Sequence, residues 1–181
     1  MNIELWILDA LQGLHSPIMD RVMVGISTLG NAGMIWILLA VVLLIRKKTR
    51  PLGCVLAVSL FVDVILCNAI LKNLFARPRP FTVNTMVDLL VAKPKDYSFP
   101  SGHTAASFTA VFALWCAKER HGLFWSTLGL AVLIAFSRMY LYVHYPTDIL
   151  GGVLVGGIAG YAGARIVEMI RNKVMKTQAE K

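Results

Sequence analysis

The segment Pro-Ser-Gly-His at residues 100–103 stands directly before a long apolar run. Ser101 is a good helix N-cap, and the start of a helix offers unpaired N–H groups and partial positive charge. Glycine at position 102 lets an anion approach the backbone closely, so the segment predicts a phosphate-binding helix start. Capping alone would explain Ser101 but not His103, although a lone histidine at a membrane interface is more often structural than catalytic.

A second polar segment, SRMYLYVHYPTD at residues 137–148, closes another apolar run. A guanidinium such as that of Arg138 is costly in a membrane span and indicates a functional site by default. Pro146 predicts the first turn of the next helix, from which the Asp148 carboxylate can reach back to the His144 ring. Such a contact fixes the tautomer and leaves the other ring nitrogen free to attack, although helix capping would explain the pair equally well in isolation.

The third segment is KNLFARPRP at residues 72–80. Lys72 closes an apolar run, Arg79 follows seven residues later, and the prolines at 78 and 80 prevent a helix between them. A basic loop at a membrane edge is usually solvated or bound to lipid headgroups, so this segment alone does not indicate catalysis.

Together the three segments combine two histidines, one carboxylate and several cations, without the paired carboxylates that a metal site needs. This set favours phosphoryl transfer with no metal and no cofactor. Cations would hold the phosphate oxygens, one histidine would attack phosphorus, and the other would protonate the leaving group.

The composition places these segments in a membrane protein. Of 181 residues, 57% are hydrophobic and 15% are charged, and the mean hydropathy is +0.66. The formal charge of +8 therefore reflects topology rather than nucleic-acid binding. The three cysteines lie inside apolar runs without paired spacing, so the sequence suggests neither a disulfide framework nor a zinc site.

The apolar runs predict an all-α, polytopic membrane helix bundle with about five transmembrane helices and an N-terminal interfacial amphipathic helix. The expected organisation is a single membrane-embedded domain over residues 1–181, with an interfacial helix in 1–20, a transmembrane bundle in 22–170 and a cytoplasmic tail in 171–181. The expected spans are Val22–Ile45, Pro51–Leu71, Ser101–Ala117, Leu123–Val143 and Thr147–Ile170. The amphipathic helix is expected at Ile3–Leu14.

The distribution of cations predicts the orientation in the cell membrane. Basic residues cluster at 46–50, 118–120 and 171–181, and the positive-inside rule places these segments and the C-terminus in the cytoplasm. The three polar segments then lie on the extracytoplasmic face. Gly152, Gly156 and Gly160, at four-residue intervals, favour close packing within the bundle, with homodimerisation as the alternative.

Asp63 lies inside the second expected span, where a carboxylate indicates a functional site by default. It precedes Lys72 by more than two turns, toward the cytoplasmic side. We therefore expect a structural partner for it, such as a hydroxyl or an amide on a neighbouring helix.

The three polar segments match the patterns K-x6-R-P, P-S-G-H and S-R-x5-H-x3-D, in that order and with spans between them. This arrangement, over roughly residues 50 to 170, resembles the type 2 phosphatidic acid phosphatase superfamily of membrane lipid phosphatases. The resemblance implies that His144 is the nucleophile, that Asp148 orients it, and that His103 is the general acid. It also implies a set of phosphate-binding residues: Lys72, Arg79, Ser101, Gly102 and Arg138.

Two points go beyond the matched motifs. Members of this family often have six spans, and this sequence predicts five with an interfacial helix. Among lipid phosphates we expect undecaprenyl diphosphate as substrate, because the site faces outward and no further domain is added. Phosphatidylglycerophosphate, phosphatidic acid or a soluble phosphate ester remain alternatives, and a non-catalytic protein that binds or transports an anionic lipid is the alternative of a different class.

Overall fold

The computed structural model describes residues 3–119 and 122–179, and that part of the chain is helical without a strand. The helices are α1 (Ile3–Gln12), α2 (Pro17–Leu29), α3 (Met34–Ile45), α4 (Arg50–Asp63), α5 (Lys72–Phe75), α6 (Pro80–Val83), α7 (Gly102–Cys116), α8 (Gly122–Tyr140) and α9 (Pro146–Ala179). A 3-10 turn, Asn31–Gly33, joins α2 to α3, and a π-helical segment, Val64–Leu71, joins α4 to α5. The predicted all-α membrane bundle is confirmed.

The number of membrane-spanning helices differs from the expected five. Three stretches in the described residues are long and apolar enough to cross a bilayer: Arg50–Val83, Gly122–Tyr140 and Pro146–Gln178. A fourth is obtained if α2 and α3 count as one bent span. Helix α7 has 15 residues and would be about 22 Å long, which is short for a hydrocarbon core of about 30 Å. Its central residues are buried against other helices.

The first expected span, Val22–Ile45, is not continuous, because α2 and α3 meet at an angle of 46°. Ala32 and Gly33, with φ angles of 50° and 67°, adopt left-handed backbone conformations that an α-helix does not contain. The break lies beside the polar segments and supplies side chains to their pocket.

Close packing of the glycine stripe on α9 within the bundle is confirmed. A Cβ atom on Gly156 would lie 2.7 Å from the Ala105 carbonyl oxygen, and one on Gly160 would lie 2.6 Å from Cβ of Phe112. Only glycine allows α9 to approach α7 this closely, so the stripe is used inside the bundle.

Helix α1 packs against the chain that links α8 to α9. Leu8 is fully buried in a cluster with Tyr140 and Tyr142, and the Tyr142 hydroxyl donates a 2.6 Å hydrogen bond to Asp9 Oδ1. Ile3 on the same helix is exposed, as expected for an amphipathic helix at an interface.

The basic segments meet at the end of the bundle opposite the polar segments. Lys48, Lys118 and Arg171 line one cavity of about 1200 Å³ there. Arg120, which belongs to the predicted cluster, lies outside the described residues. The grouping of these cations agrees with a single basic face, and its assignment to the cytoplasm stays a prediction.

One carboxylate oxygen of Asp63 lacks the hydrogen-bond partner that we expected from a neighbouring helix. The residue is 2% exposed, yet its Oδ1 accepts no hydrogen bond within the part of the chain that the structure describes. The expected hydroxyl or amide partner is therefore not found at this oxygen.

Candidate active site

The three polar segments converge on one pocket of about 310 Å³ at the end of the bundle. Six of the eight predicted site residues line it: Lys72, Arg79, Gly102, His103, Arg138 and His144. The remaining two, Ser101 and Asp148, lie behind its wall and are fully buried. Other lining residues come from the helix break, including Ser27 and Asn31, and from the loop before α7, including Asp96.

The segment between α4 and α6 positions two cations. Lys72 follows the π-helical segment, a feature frequent at functional sites, and Ala76 then turns the chain with a φ angle of 43°. Arg79 is 4% exposed and donates from Nη1 to the Val143 carbonyl oxygen at 2.7 Å and to His144 Nε2 at 3.2 Å. This arginine therefore reaches both the pocket and the ring nitrogen that faces it.

The start of α7 is capped by Ser101. Its Oγ accepts hydrogen bonds from the Thr104 N–H at 3.4 Å and from Thr104 Oγ1 at 3.0 Å, and its own N–H donates to the Asp148 carbonyl oxygen at 3.1 Å. A Cβ atom on Gly102 would lie 3.8 Å from Lys72 Nζ, so the backbone here runs close to an ammonium group. The structure thus shows Ser101 as a cap, and its contact with a phosphate stays a prediction.

His103 is held by the break between α2 and α3. Its Nε2 lies 3.0 Å from Asn31 Oδ1, and a Cβ atom on Gly30 would lie 2.8 Å from its Cδ2. Sequence reasoning did not identify Asn31. The available signal was the Gly-Asn-Ala-Gly interruption at residues 30–33 of an otherwise apolar run.

His144 and Asp148 form the predicted pair at the start of α9. Asp148 Oδ2 lies 3.5 Å from His144 Nδ1 and accepts shorter hydrogen bonds from the Ser98 hydroxyl at 2.5 Å and the Tyr145 N–H at 2.8 Å. Because Arg79 donates to Nε2, the ring carries its proton on Nδ1, facing the carboxylate. The Nε2 lone pair therefore faces Arg79 Nη1, at the wall of the pocket.

The backbone next to His144 is held in a strained conformation. Tyr142 has a φ angle of 59°, which is uncommon for a bulky residue. Its hydroxyl is fixed from two sides, by donation to Asp9 Oδ1 at 2.6 Å and by acceptance from Asn84 Nδ2 at 3.0 Å. The surrounding structure thus maintains a conformation that would cost about 1–3 kcal/mol if it were unsupported.

Arg77 was not identified by sequence reasoning, although it occupies the same basic segment as Arg79. Its Nη1 donates to Asp148 Oδ1 at 2.7 Å, its Nη2 donates to Glu4 Oε2 at 2.6 Å, and its guanidinium lies 3.9 Å from the centre of the Tyr145 ring. No signal in the sequence separated the two arginines, since residues two apart in an extended chain are expected on the same face. Arg79 faces the pocket and Arg77 faces the carboxylate behind it.

Asp96 was not identified as a site residue by sequence reasoning. In the structure its Oδ2 is hydrogen-bonded to Lys72 Nζ, and its Oδ1 accepts from Arg79 Nη2 at 2.7 Å. Burial alone would raise the pKa of Asp96, but the hydrogen bonds and charges of Lys72 and Arg79 outweigh it and lower the pKa to about 2. Asp96 is therefore ionised at any physiological pH.

Arg138 brings a third cation into the pocket. It is 5% exposed, donates from Nη1 to Ser27 Oγ, and has no hydrogen-bond partner at Nε. Within the described chain it forms no ion pair with a carboxylate. A buried guanidinium with an open donor suits an anionic ligand, because charge-assisted hydrogen bonds to phosphate are strong.

Burial and charge also set the state of His144. Burial lowers the pKa of the ring to about 3, the charges of Arg79 and Arg138 act in the same direction, and the contact with Asp148 opposes them. The ring is therefore neutral near pH 7, the state in which a histidine can act as a nucleophile. Among the described residues, no group of three or more His, Cys, Asp or Glu side chains is placed to hold a metal ion.

Comparison with known proteins gives one family. The model of the PAP2 superfamily matches residues 52–172. An undecaprenyl-diphosphatase of Sulfolobus acidocaldarius is 35% identical over 91% of this chain and 78% of its own length. The undecaprenyl-diphosphatase BcrC of Bacillus subtilis is 30% identical over 94% of this chain and 86% of its own length.

A solved structure agrees with this assignment. The crystal structure of a PAP2-type phosphatidylglycerolphosphate phosphatase from Bacillus subtilis superposes with a TM-score of 0.72 at 25% identity. The match covers 95% of this chain and 86% of that one. The similarity extends over the whole bundle and therefore includes the helices that carry the pocket.

Proposed function

The chain belongs to the PAP2 superfamily, and we propose that it hydrolyses undecaprenyl diphosphate through a phosphohistidine at His144. The coarser function, that of a membrane lipid phosphatase, follows from the family and its relatives. The observation that carries the proposal is the convergence of three cations and two histidines on one pocket.

The cations would bind the phosphoryl group to be transferred. Lys72 and Arg79 supply donors from the segment between α4 and α6, Arg138 supplies donors from α8, and Gly102 lies at the positive end of α7. These groups are fixed before substrate binds, so they can stabilise the charge that develops on the phosphoryl oxygens during transfer.

The first chemical step is attack by His144. Its Nε2 lone pair forms a bond to the terminal phosphorus while the bond to the bridging oxygen breaks, and His103 gives its proton to that oxygen. The products are undecaprenyl phosphate and a phosphorylated ring. Asp148 stabilises the positive charge on this ring through the Nδ1–H, as the third group of a catalytic triad does.

The second step returns the enzyme to its starting state. His103, now deprotonated, takes a proton from a water molecule, and the resulting hydroxide attacks the phosphorus of the phosphohistidine. The bond from phosphorus to Nε2 breaks and inorganic phosphate leaves. Atoms and charges balance over the two steps without a metal ion.

A lipid substrate suits the location of the pocket. The pocket lies at the end of a bundle whose spans are apolar, so a polyprenyl tail can stay in the bilayer while its diphosphate reaches the cations. The relatives of Sulfolobus acidocaldarius and Bacillus subtilis are named for undecaprenyl diphosphate, which favours that lipid over the others. By the positive-inside rule, we assign the pocket to the extracytoplasmic face.

The test is phosphate release by the purified protein in detergent. Wild type and His144→Ala are compared on undecaprenyl diphosphate, phosphatidylglycerophosphate and phosphatidic acid, and labelled substrate is used to trap a phosphoenzyme that is labile to acid and stable to alkali. We expect release and label only in wild type, fastest with undecaprenyl diphosphate. A faster rate on another lipid would make that lipid the assigned substrate. No release of phosphate by folded wild type would indicate a binding or transport protein.

A further inference from the structure

Asp96 neutralises the two cations that the proposed function assigns to phosphate. We propose that Asp96 is an internal anion that competes with phosphate for Lys72 and Arg79, and that it thereby weakens retention of the inorganic phosphate product. The effect on product release depends on the proposed function, because it requires that the protein produces inorganic phosphate. The competition itself requires only that phosphate binds these two cations.

The geometry is that of a ligand bound by both cations. Asp96 Oδ2 is hydrogen-bonded to Lys72 Nζ and Asp96 Oδ1 to Arg79 Nη2 at 2.7 Å, so the two oxygens of one carboxylate bridge the two donors. Two oxygens of a phosphate likewise present negative charge, at a similar spacing, to the same pair of donors. Phosphate and the Asp96 carboxylate therefore cannot both occupy them.

The donors are fixed, whereas the carboxylate is free to move away. The Lys72 and Arg79 side chains are 9% and 4% exposed, and the Asp96 side chain is 53% exposed. Asp96 also lies between α6 and α7, in a stretch without regular secondary structure. Rotation of the exposed Asp96 side chain is enough to free Lys72 and Arg79 for another anion.

The backbone of the same residue holds the loop in place during such a rotation. Arg79 Nε donates to the Asp96 carbonyl oxygen at 2.8 Å, and Nη2 is 3.3 Å from the Tyr97 carbonyl oxygen. The Ser98 N–H donates to the Arg77 carbonyl oxygen at 2.9 Å. The carboxylate can therefore leave and return while Arg79 stays oriented by main-chain acceptors.

The other acid of the site is not available for this role. Asp148 is fully buried and both of its oxygens are engaged, by Arg77 on one side and by Ser98 and Tyr145 on the other. Within the described residues, Asp96 is the acid that forms ion pairs with the cations of the pocket.

Competition of this kind affects product more than substrate. A polyprenyl diphosphate is also bound through its apolar tail, which Asp96 does not touch, whereas inorganic phosphate depends on the cations alone. Return of the carboxylate after hydrolysis would displace phosphate, and product release is often the slow step in an enzyme. Asp96 is thus a residue that discriminates between substrate and product.

The experiment measures binding of inorganic phosphate by calorimetry to purified wild type, Asp96→Asn and Asp88→Asn. Asp88 is an exposed acid in the same loop region, so its variant controls for the loss of one negative charge. We expect Asp96→Asn to bind phosphate about tenfold more tightly and to show product inhibition at correspondingly lower phosphate, with Asp88→Asn like wild type. Equal or weaker binding by Asp96→Asn would overturn the proposal and assign Asp96 to the orientation of Lys72 and Arg79.

Two further variants make the result secure. Asp96→Glu keeps the charge and should return the dissociation constant for phosphate toward that of wild type. Asp96→Ser is a second neutral variant, for use if Asp96→Asn fails to fold. If the neutral variants bind phosphate more tightly but the wild type shows no hydrolytic activity, the competition is supported and the proposed function is rejected. Active wild type with no change in phosphate affinity in the neutral variants would reject the competition alone.

Discussion

Arg77 Nη1 lies 2.7 Å from Asp148 Oδ1, the carboxylate oxygen that does not face His144. The other oxygen, Oδ2, faces the His144 ring at 3.5 Å and accepts hydrogen bonds from the Ser98 hydroxyl and the Tyr145 N–H. A buried carboxylate with donors on both oxygens stays ionised and in one orientation. Through Glu4, the same arginine links α1 to this carboxylate, so the interfacial helix is part of the support of the site.

This relationship predicts different defects for the two arginines of one segment. Arg77→Gln should lower kcat by about tenfold with little change in KM, because Arg77 supports Asp148 and does not line the pocket. Arg79→Gln should lower kcat and should also raise KM and weaken inhibition by phosphate, because Arg79 binds the phosphoryl group in the substrate as well as in the transition state. Steady-state kinetics of both variants on one lipid separates the two effects, and a rise in KM for Arg77→Gln would contradict the assignment.

Loss of the proposed nucleophile should abolish turnover. We expect His144→Ala to lower kcat by at least about 10³-fold, since no other described side chain occupies its position. Phosphate release is the measurement, and His15→Ala is the matched control, because His15 stacks on Tyr140 outside the pocket. A His144→Ala protein that retained the rate of the control would remove the phosphohistidine mechanism.

The orienting carboxylate should matter nearly as much. Asp148→Asn keeps the shape of the side chain, but its amide N–H can donate to Nδ1 only if the ring carries its proton on Nε2. That tautomer has no lone pair on Nε2 for attack, so we expect kcat to fall by about 10²- to 10⁴-fold. Thermal unfolding of the variant has to be measured alongside, because Arg77 would lose its partner. A stable variant with a normal rate would show that His144 needs no oriented tautomer.

The state of His144 predicts how stability depends on pH. Its pKa is lowered from 6.5 to about 3 by burial and by the neighbouring arginines. Between these values the unfolded chain binds a proton that the folded protein does not, so stability falls as the pH is lowered. Relative to pH 7.5, we expect wild type at pH 5 to lose about 5 °C more in Tm than His144→Gln. The same loss in both proteins would indicate that His144 is not buried as a neutral ring.

The proposed chemistry uses no metal ion, which gives a prediction for chelators. Hydrolysis should keep its rate in excess EDTA and should not rise on addition of magnesium, because cationic side chains bind the phosphoryl group. The comparison is made on the same preparation before and after chelation. Activity that disappeared in EDTA and returned with magnesium would contradict the proposed site.

The sequence alone determined the membrane class and most of the pocket. Composition and the apolar runs predicted the helical bundle, and the Ser101 cap and Pro146 correctly marked the starts of α7 and α9. These features depend on residues close together in the chain, so their spacing carries the information. The lining residues from Lys72 to His144 were likewise recognised from three short motifs at helix ends.

The tertiary structure alone decided which residues support these motifs. Asn31, Arg77 and Asp96 reach the site from a helix break and from irregular chain, where no periodicity in the sequence predicts the direction of a side chain. The bend between α2 and α3 arises from left-handed residues whose conformation depends on what packs around them. Contacts between residues far apart in the chain, such as Arg77 with Glu4 or Asp96 with Lys72, exist only once the bundle has formed.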